Sequence, residues 1–127
     1  MLSHNMNRMN TQILQGFPVV SGTIRGRAKI VRDWGQNTPI DAGMVLIVRF
    51  PVPKISSLLK QASALLCAYG SADSYLANAA REQGIPAVFK LGQSLEAVSD
   101  GEWVSIDSGA GAVSWEPNPS IGEPLKN

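Results

Sequence analysis

Apolar positions in this chain fall into short β-branched runs punctuated by glycine, proline and aspartate, with two stretches of helical spacing between them. Met44 to Val48 is wholly apolar, the pattern of a strand covered on both faces, and Ala64 to Ala68 repeats it. Thr23 to Val31 alternates in part between polar and apolar positions, as a half-exposed strand does. Phe17 to Val20 is extended and ends in a turn at Ser21-Gly22, and Ala87-Val88-Phe89 is a further short strand. After a turn at Asp100-Gly101, the runs Trp103 to Ile106 and Ala112 to Trp115 read as a hairpin joined by Asp107-Ser108-Gly109-Ala110-Gly111. Two segments carry the longer period. Lys54 to Gln61 puts Ile55, Leu58 and Leu59 on one side of a short helix. Ser74 to Gln83 is an alanine-rich helix whose Leu76, Ala79 and Ala80 can pack closely on a sheet. Gly84 stands where a helix closes in the left-handed conformation, with Pro86 just beyond. An outer hairpin layer, an inner sheet and helices on one face make an α/β protein of β/β/α sandwich type.

The pattern fades at both ends and in one internal stretch. Residues 1–15 are rich in Asn and Met and read as a flexible tail without the apolar core of a secretory signal. Residues 117–127 are rich in Pro and Asn and read as a second tail, leaving residues 16–116 as the folded domain. Trp34 to Gly43 is a connecting loop. At 127 residues the chain is sized for a single core. With 44% hydrophobic and 17% charged residues it has a globular balance, and its formal charge of +1 gives no reason to expect nucleic acid or a membrane surface. No apolar run is long enough to span a bilayer. Cys67 is the sole cysteine, which excludes an internal disulfide and fits a reducing, cytoplasmic setting.

The reactive inventory is small. His4 is the sole histidine and lies in the expected tail, so the folded body offers no histidine general base, Ser-His pair or histidine metal site. Neither a metal nor a cofactor is expected. The carboxylates are scattered, without a spacing that announces a catalytic pair. Arg25, Arg27 and Lys29 would share one side of a strand, a soluble face or a contact for an acidic partner or phosphate. Cys67 belongs to an apolar strand and reads as an inert buried thiol. Trp34, Trp103 and Trp115 read as packing at the core edge. Gly70-Ser71-Ala72-Asp73-Ser74 is a small-residue loop leading into the second helix, a place for an anion in principle or for a plain N-cap from Ser71, Asp73 or Ser74. Asp73 would repel a phosphate there, which favours the cap.

Several of these segments carry a family resemblance. Ala80-Arg81-Glu82-Gln83-Gly84-Ile85-Pro86-Ala87-Val88 closely resembles the second half of the phosphohistidine motif in the swivelling, or mobile, domain of phosphoenolpyruvate-utilising enzymes. Looser likenesses lie in Val20 to Ala28, in Gly43-Met44-Val45-Leu46, and in Val104-Ser105-Ile106-Asp107 with Gly111 and Val113, so the resemblance runs from Gly16 to Trp115. Pyruvate phosphate dikinase, phosphoenolpyruvate synthase and rifampicin phosphotransferase carry this domain. The resemblance implies a swivelling three-layer β/β/α fold. It also places Tyr75 where the family keeps its phosphorylated histidine, Cys67 at the threonine, Ala68 at the acidic residue and Ser71 at the second glycine, while Gly70 and Ser74 are kept.

An imidazole accepts and releases phosphoryl readily, whereas a phenol ester is far more inert and a free phenol ionises only near pH ~10. The resemblance therefore implies a mobile domain that no longer carries phosphate. Such a domain would act as an interaction or accessory module that docks through the loop Gly70, Ser71, Ser74 and Tyr75 on a separate nucleotide-binding or phosphoenolpyruvate-binding protein. Two alternatives stand beside it. One is a carrier subunit of a split phosphotransferase with Tyr75, Ser71 or Ser74 as acceptor. The other is the small subunit of an aconitase-type dehydratase, where a similar fold occurs as a separate chain.

Overall fold

The computed structural model describes residues 12–31 and 43–115. Eight strands, one α-helix and two short 3-10 helices follow in the order β1 (Gln12–Gln15), β2 (Phe17–Val20), β3 (Thr23–Ile30), β4 (Val45–Val48), a 3-10 helix (Pro53–Gln61), β5 (Ala64–Cys67), α1 (Tyr75–Gln83), β6 (Ala87–Phe89), a 3-10 helix (Gln93–Ala97), β7 (Trp103–Asp107) and β8 (Ala112–Trp115). Strand order is β1-β8-β7-β3-β4-β5-β6-β2. One half, β1-β8-β7-β3, is antiparallel, and β3-β4-β5-β6 is parallel with β2 added antiparallel at its edge.

The two halves are separate layers because two stretches of chain change layer midway. In β3, Thr23 to Arg27 pair with β7, whereas Ala28 to Ile30 pair with β4. The segment β1–β2 does the same, with Gln12–Gln15 on β8 and Phe17–Val20 on β6. Each corner is a glycine. A Cβ on Gly26 would run into the carbonyl oxygen of Gly43, and one on Gly16 would lie 2.5 Å from the Phe89 carbonyl oxygen and 2.7 Å from Val88 Cγ1. A bend that presses backbone against backbone leaves no room for a side chain.

Alternation along the parallel strands then makes two cores. Val45, Ile47, Ala64, Leu66 and Val88 face the antiparallel layer and pack with Val104, Ile106, Val113 and Trp115. Leu46, Val48, Leu65, Cys67, Ala87 and Phe89 face the other way, onto Ile55 and Leu59 of the first 3-10 helix and Leu76, Ala77 and Ala80 of α1. Both faces of β4 and β5 are thus covered, which is why their sequences are apolar without alternation. This is the β/β/α three-layer α/β architecture expected from the sequence. Ser108, fully buried in the β7–β8 turn, pins the hairpin tip to the 20–22 turn by donating its hydroxyl to the Val20 carbonyl (2.5 Å) while its N–H bonds the Gly22 carbonyl (2.9 Å).

Two expectations are corrected. Gln12–Gln15, assigned to a tail, form β1, because Leu14 packs against the inter-layer core and the four residues pair in register with β8. Trp103, assigned to the core edge, faces solvent at 40% exposure, because Val104 and Ile106 take the inward positions of β7. Trp115 is buried as expected. The rest of the N-terminal tail with His4, the loop with Trp34, and the C-terminal tail lie outside the described residues. No helix among the described residues is long and apolar enough to cross a membrane.

Candidate functional site

In an open parallel sheet, chemistry collects beyond the carboxyl ends of the strands, and here the end of β3 at Ile30-Val31 and the segments after β4 and β5 lie there. β5 delivers buried Ala68 and then half-exposed Tyr69. Gly70 follows at φ +148°, a conformation few side chains tolerate, and its α-carbon is pressed so close to Pro51 that a Cβ would lie 2.8 Å from the Pro51 Cγ. The loops after β4 and β5 therefore abut, which fixes where the next residues can go.

Those residues form a tight turn and a cap. The Ser71 hydroxyl accepts the Asp73 N–H (3.1 Å), and the Ser71 carbonyl accepts the Ser74 N–H (3.1 Å). Ser74 sits at φ −66°, ψ 161°, and its hydroxyl accepts the Ala77 N–H (3.2 Å), the bond that defines an N-cap. Of the three candidate caps, Ser74 takes the role, and Ser71 shapes the turn before it. At the far end Gly84 adopts φ 68°, ψ 30°, and the Ile85 N–H bonds the Ala80 carbonyl (3.0 Å), the left-handed closure expected there. α1 buries Leu76, Ala77 and Ala80 and turns its first residue, Tyr75, outward at 61% exposure. The Tyr75 hydroxyl has no hydrogen-bond partner among the described residues.

Gly70, Ser71, Ser74 and Tyr75 are thus brought together, but with unequal freedom. Both serine hydroxyls are engaged as acceptors within the loop, and the Tyr75 ring stands free. No histidine lies among the described residues, and no group of three metal-ligating side chains occurs among them. Among the described residues no imidazole is present to take the Tyr75 proton.

Cys67, the last residue of β5 and two residues before the exposed Tyr69, is fully buried. Burial pushes its thiol up to about 12, partly offset by backbone hydrogen bonding at Tyr69; the neutral thiol donates to the Tyr69 carbonyl at 3.0 Å. It is an inert core thiol rather than a nucleophile.

The structure also shows a feature the sequence did not reveal. A cavity of about 500 Å³ opens at the same carboxyl ends, walled by Ile30, Val31, Ile47, Val48, Ala68 and Leu95. Arg49, Phe50 and Glu96 complete it, with Arg49 Nε 2.8 Å from Glu96 Oε2. Phe50 is half exposed and its ring centroid lies 5.5 Å from that of Tyr69, so an aromatic step runs from the cavity toward the Gly70 loop. Three strand ends supply the walls one or two residues each, and no local sequence pattern could have announced them.

Comparison with known proteins bears on the fold and the family. The holo form of aconitase X from Thermococcus kodakaraensis superposes with a TM-score of 0.66 at 18% identity, covering 82% of this chain and 98% of that one, a likeness of fold. The solution structure of an Enzyme I (nEIt) protein superposes with a TM-score of 0.52 at 27% identity, over 68% of this chain and 35% of that one. In sequence, an uncharacterized phosphotransferase of Bacillus subtilis is 33% identical over 98 residues, 77% of this chain and 12% of its own length. Rifampicin phosphotransferase of Streptomyces sviceus is 31% identical over 100 residues, 79% of this chain and 11% of its own. Phosphoenolpyruvate synthase of Aquifex aeolicus is 28% identical over 108 residues, 85% of this chain and 13% of its own. The chain therefore spans 11–13% of the length of these curated relatives. The model of the family described as PEP-utilising enzyme, mobile domain, matches residues 40–111, and the chain belongs to that family.

Proposed function

We propose that this mobile domain has given up phosphoryl carriage and serves as a docking module for a separate nucleotide-binding or phosphoenolpyruvate-binding protein. The observation that carries the reading is Tyr75. It opens α1 at the end of the Gly70–Ser74 loop, is 61% exposed, and its hydroxyl has no hydrogen-bond partner among the described residues. The resemblance of Ala80 to Val88 to the family's motif supports reading Tyr75 as standing in the place of the carrier histidine. A carrier must be reachable, and Tyr75 is; it must also form a bond that breaks as easily as it forms, and a phenol phosphate does not. The loop keeps the shape of a docking surface without the chemistry of transfer. Such a module needs no cofactor or metal of its own, and its relatives' company in metabolic phosphotransfer favours the cytoplasm.

The test is to purify the chain from its native cells with whatever binds it and assay the assembly for ATP- or phosphoenolpyruvate-dependent turnover. With a silent module, Tyr75→Phe leaves that turnover intact. Loss of turnover in Tyr75→Phe would mean instead a carrier subunit of a split phosphotransferase using the phenol as acceptor. A second reading, the small subunit of an aconitase-type dehydratase, is favoured by one observation: the fold likeness to aconitase X covers nearly the whole of that chain. Co-purification with a cluster-bearing large subunit would establish it, and the phosphotransferase relatives at 31–33% identity argue for the first reading.

A further inference from the structure

The solvent face of the antiparallel layer lies apart from the Tyr75 loop and has a charge pattern that the docking role does not use. In β3, Ile24, Gly26 and Ala28 point into the protein, and Arg25 and Arg27 point out. In β7, Val104 and Ile106 point in and Trp103 points out. Register places Arg27 opposite Trp103 and Arg25 opposite Ser105. Both guanidinium groups consequently lie over the one indole, with Cζ 4.5 Å and 4.8 Å from the ring centroid. Lys29, expected on the same side, pairs with Leu46 in the parallel layer and is half-buried, so among the described residues of β3 the exposed basic group is this pair.

Two positive charges beside one ring repel each other, and cation–π attraction returns only about 0.5–1 kcal/mol for each at an exposed site. Neither arginine forms an ion pair with a carboxylate of the described residues; Arg27 gives one N–H to the Gly101 carbonyl (3.2 Å). Stacking on the ring holds each planar fork in place, so less freedom is lost when it grips an anion. Beside the pair, Ser105 stands opposite Ser114, and beyond Ser114 lies Ile13 of β1, 69% exposed.

We propose that this face, centred on Trp103 with Arg25 and Arg27, docks an extended acidic segment of a partner protein. Two clamped forks suit two neighbouring carboxylates, each held by paired N–H···O bonds, and the row of Ser105, Ser114 and Ile13 gives the rest of an extended peptide small polar groups and one apolar side chain to lie along. Nucleic acid is the poorer fit, since its affinity comes from many phosphate contacts and this chain has a formal charge of only +1. The proposal stands independently of the Tyr75 reading.

The test is a titration of the whole ¹⁵N-labelled chain with synthetic hexaglutamate, following the Trp103 indole N–H, which Trp103→Phe identifies by its disappearance. The expected result is a saturable shift, weakened at least about tenfold in Arg25→Gln/Arg27→Gln and weakened by added salt as a surface charge interaction must be. Each single variant should lose part of that affinity, which serves if the double variant melts early. Tyr75→Phe should titrate like the parent. Absence of a saturable shift, or equal affinity in the arginine variants, overturns the proposal. Inorganic phosphate binding as tightly as the peptide also overturns it and makes the pair a phosphate site, and a single-stranded oligonucleotide binding more tightly makes the face a nucleic-acid one.

Discussion

Burial of Cys67 makes the stability of this domain depend on alkaline pH in a way that can be isolated. The thiol is fully enclosed against Leu46-side core residues and α1, and its ionisation is pushed from an ordinary 9.0 up to about 12. Because the folded value is raised, the neutral thiol's contribution is complete below pH 9, where neither state ionises. It is lost progressively between 9 and about 12, as the unfolded chain releases a proton that the folded chain keeps. At 1.36 kcal/mol per unit, the loss reaches about 2 kcal/mol at pH 10.5. Lysines and tyrosines also titrate there, so the measurement is a difference: urea unfolding of the parent and of Cys67→Ala at pH 8, 9, 10 and 10.5. The variant starts less stable through its lost volume, and the gap narrows by about 2 kcal/mol across the series. In parallel, Ellman's reagent should label the parent only at the rate of unfolding. A constant gap between the two proteins, or rapid labelling under native conditions, would refute the buried, inert thiol and reopen Cys67 as a reactive group at the head of the site.

Other perturbations test the scaffold around the same loop. Ser74→Ala removes the bond from the Ala77 N–H and should cost about 1 kcal/mol, read as a Tm lower by roughly 3–6 °C in calorimetry. Gly26→Ala forces a Cβ onto the Gly43 carbonyl at the corner between layers and should cost more than Ser74→Ala, with Gly16→Ala behaving alike at the other corner. Leu66→Ala opens the core between the two β layers and should cost about 2–5 kcal/mol by urea denaturation, without altering the α1 cap.

How far the chain can be read without its structure depends on how local each cause is. β4, β5 and β6 are legible because burial on both faces leaves an unbroken apolar run. α1 is legible at both ends because Ser74 and Gly84 act on their own neighbours. β1 is hidden, since four residues with Ile13 outward and Leu14 half-buried carry no period of their own and depend on β8 for their existence. The layer changes at Gly16 and Gly26 are also hidden, because the contacts that demand glycine come from Phe89 and Gly43, distant in sequence. Gln93–Ala97 is hidden as well, because it buries only Leu95. For the site, the loop Gly70 to Tyr75 is contiguous and therefore readable, but the cavity and the Phe50–Tyr69 step are assembled from separate strand ends and are not. Trp103 shows the same limit: its type suggested burial, and the inward claims of Val104 and Ile106 decided otherwise.

The account rests on Tyr75 being a place where phosphate no longer travels. The direct measurement is intact-mass analysis and site mapping of this chain taken from its own cells, handled at neutral to alkaline pH so that nitrogen–phosphorus bonds survive. The account predicts a chain without a phosphoryl group, whether the cells are growing on sugar or on gluconeogenic carbon. A phosphoryl group found on Tyr75, Ser71, Ser74 or His4, turning over when the carbon source changes, would contradict it.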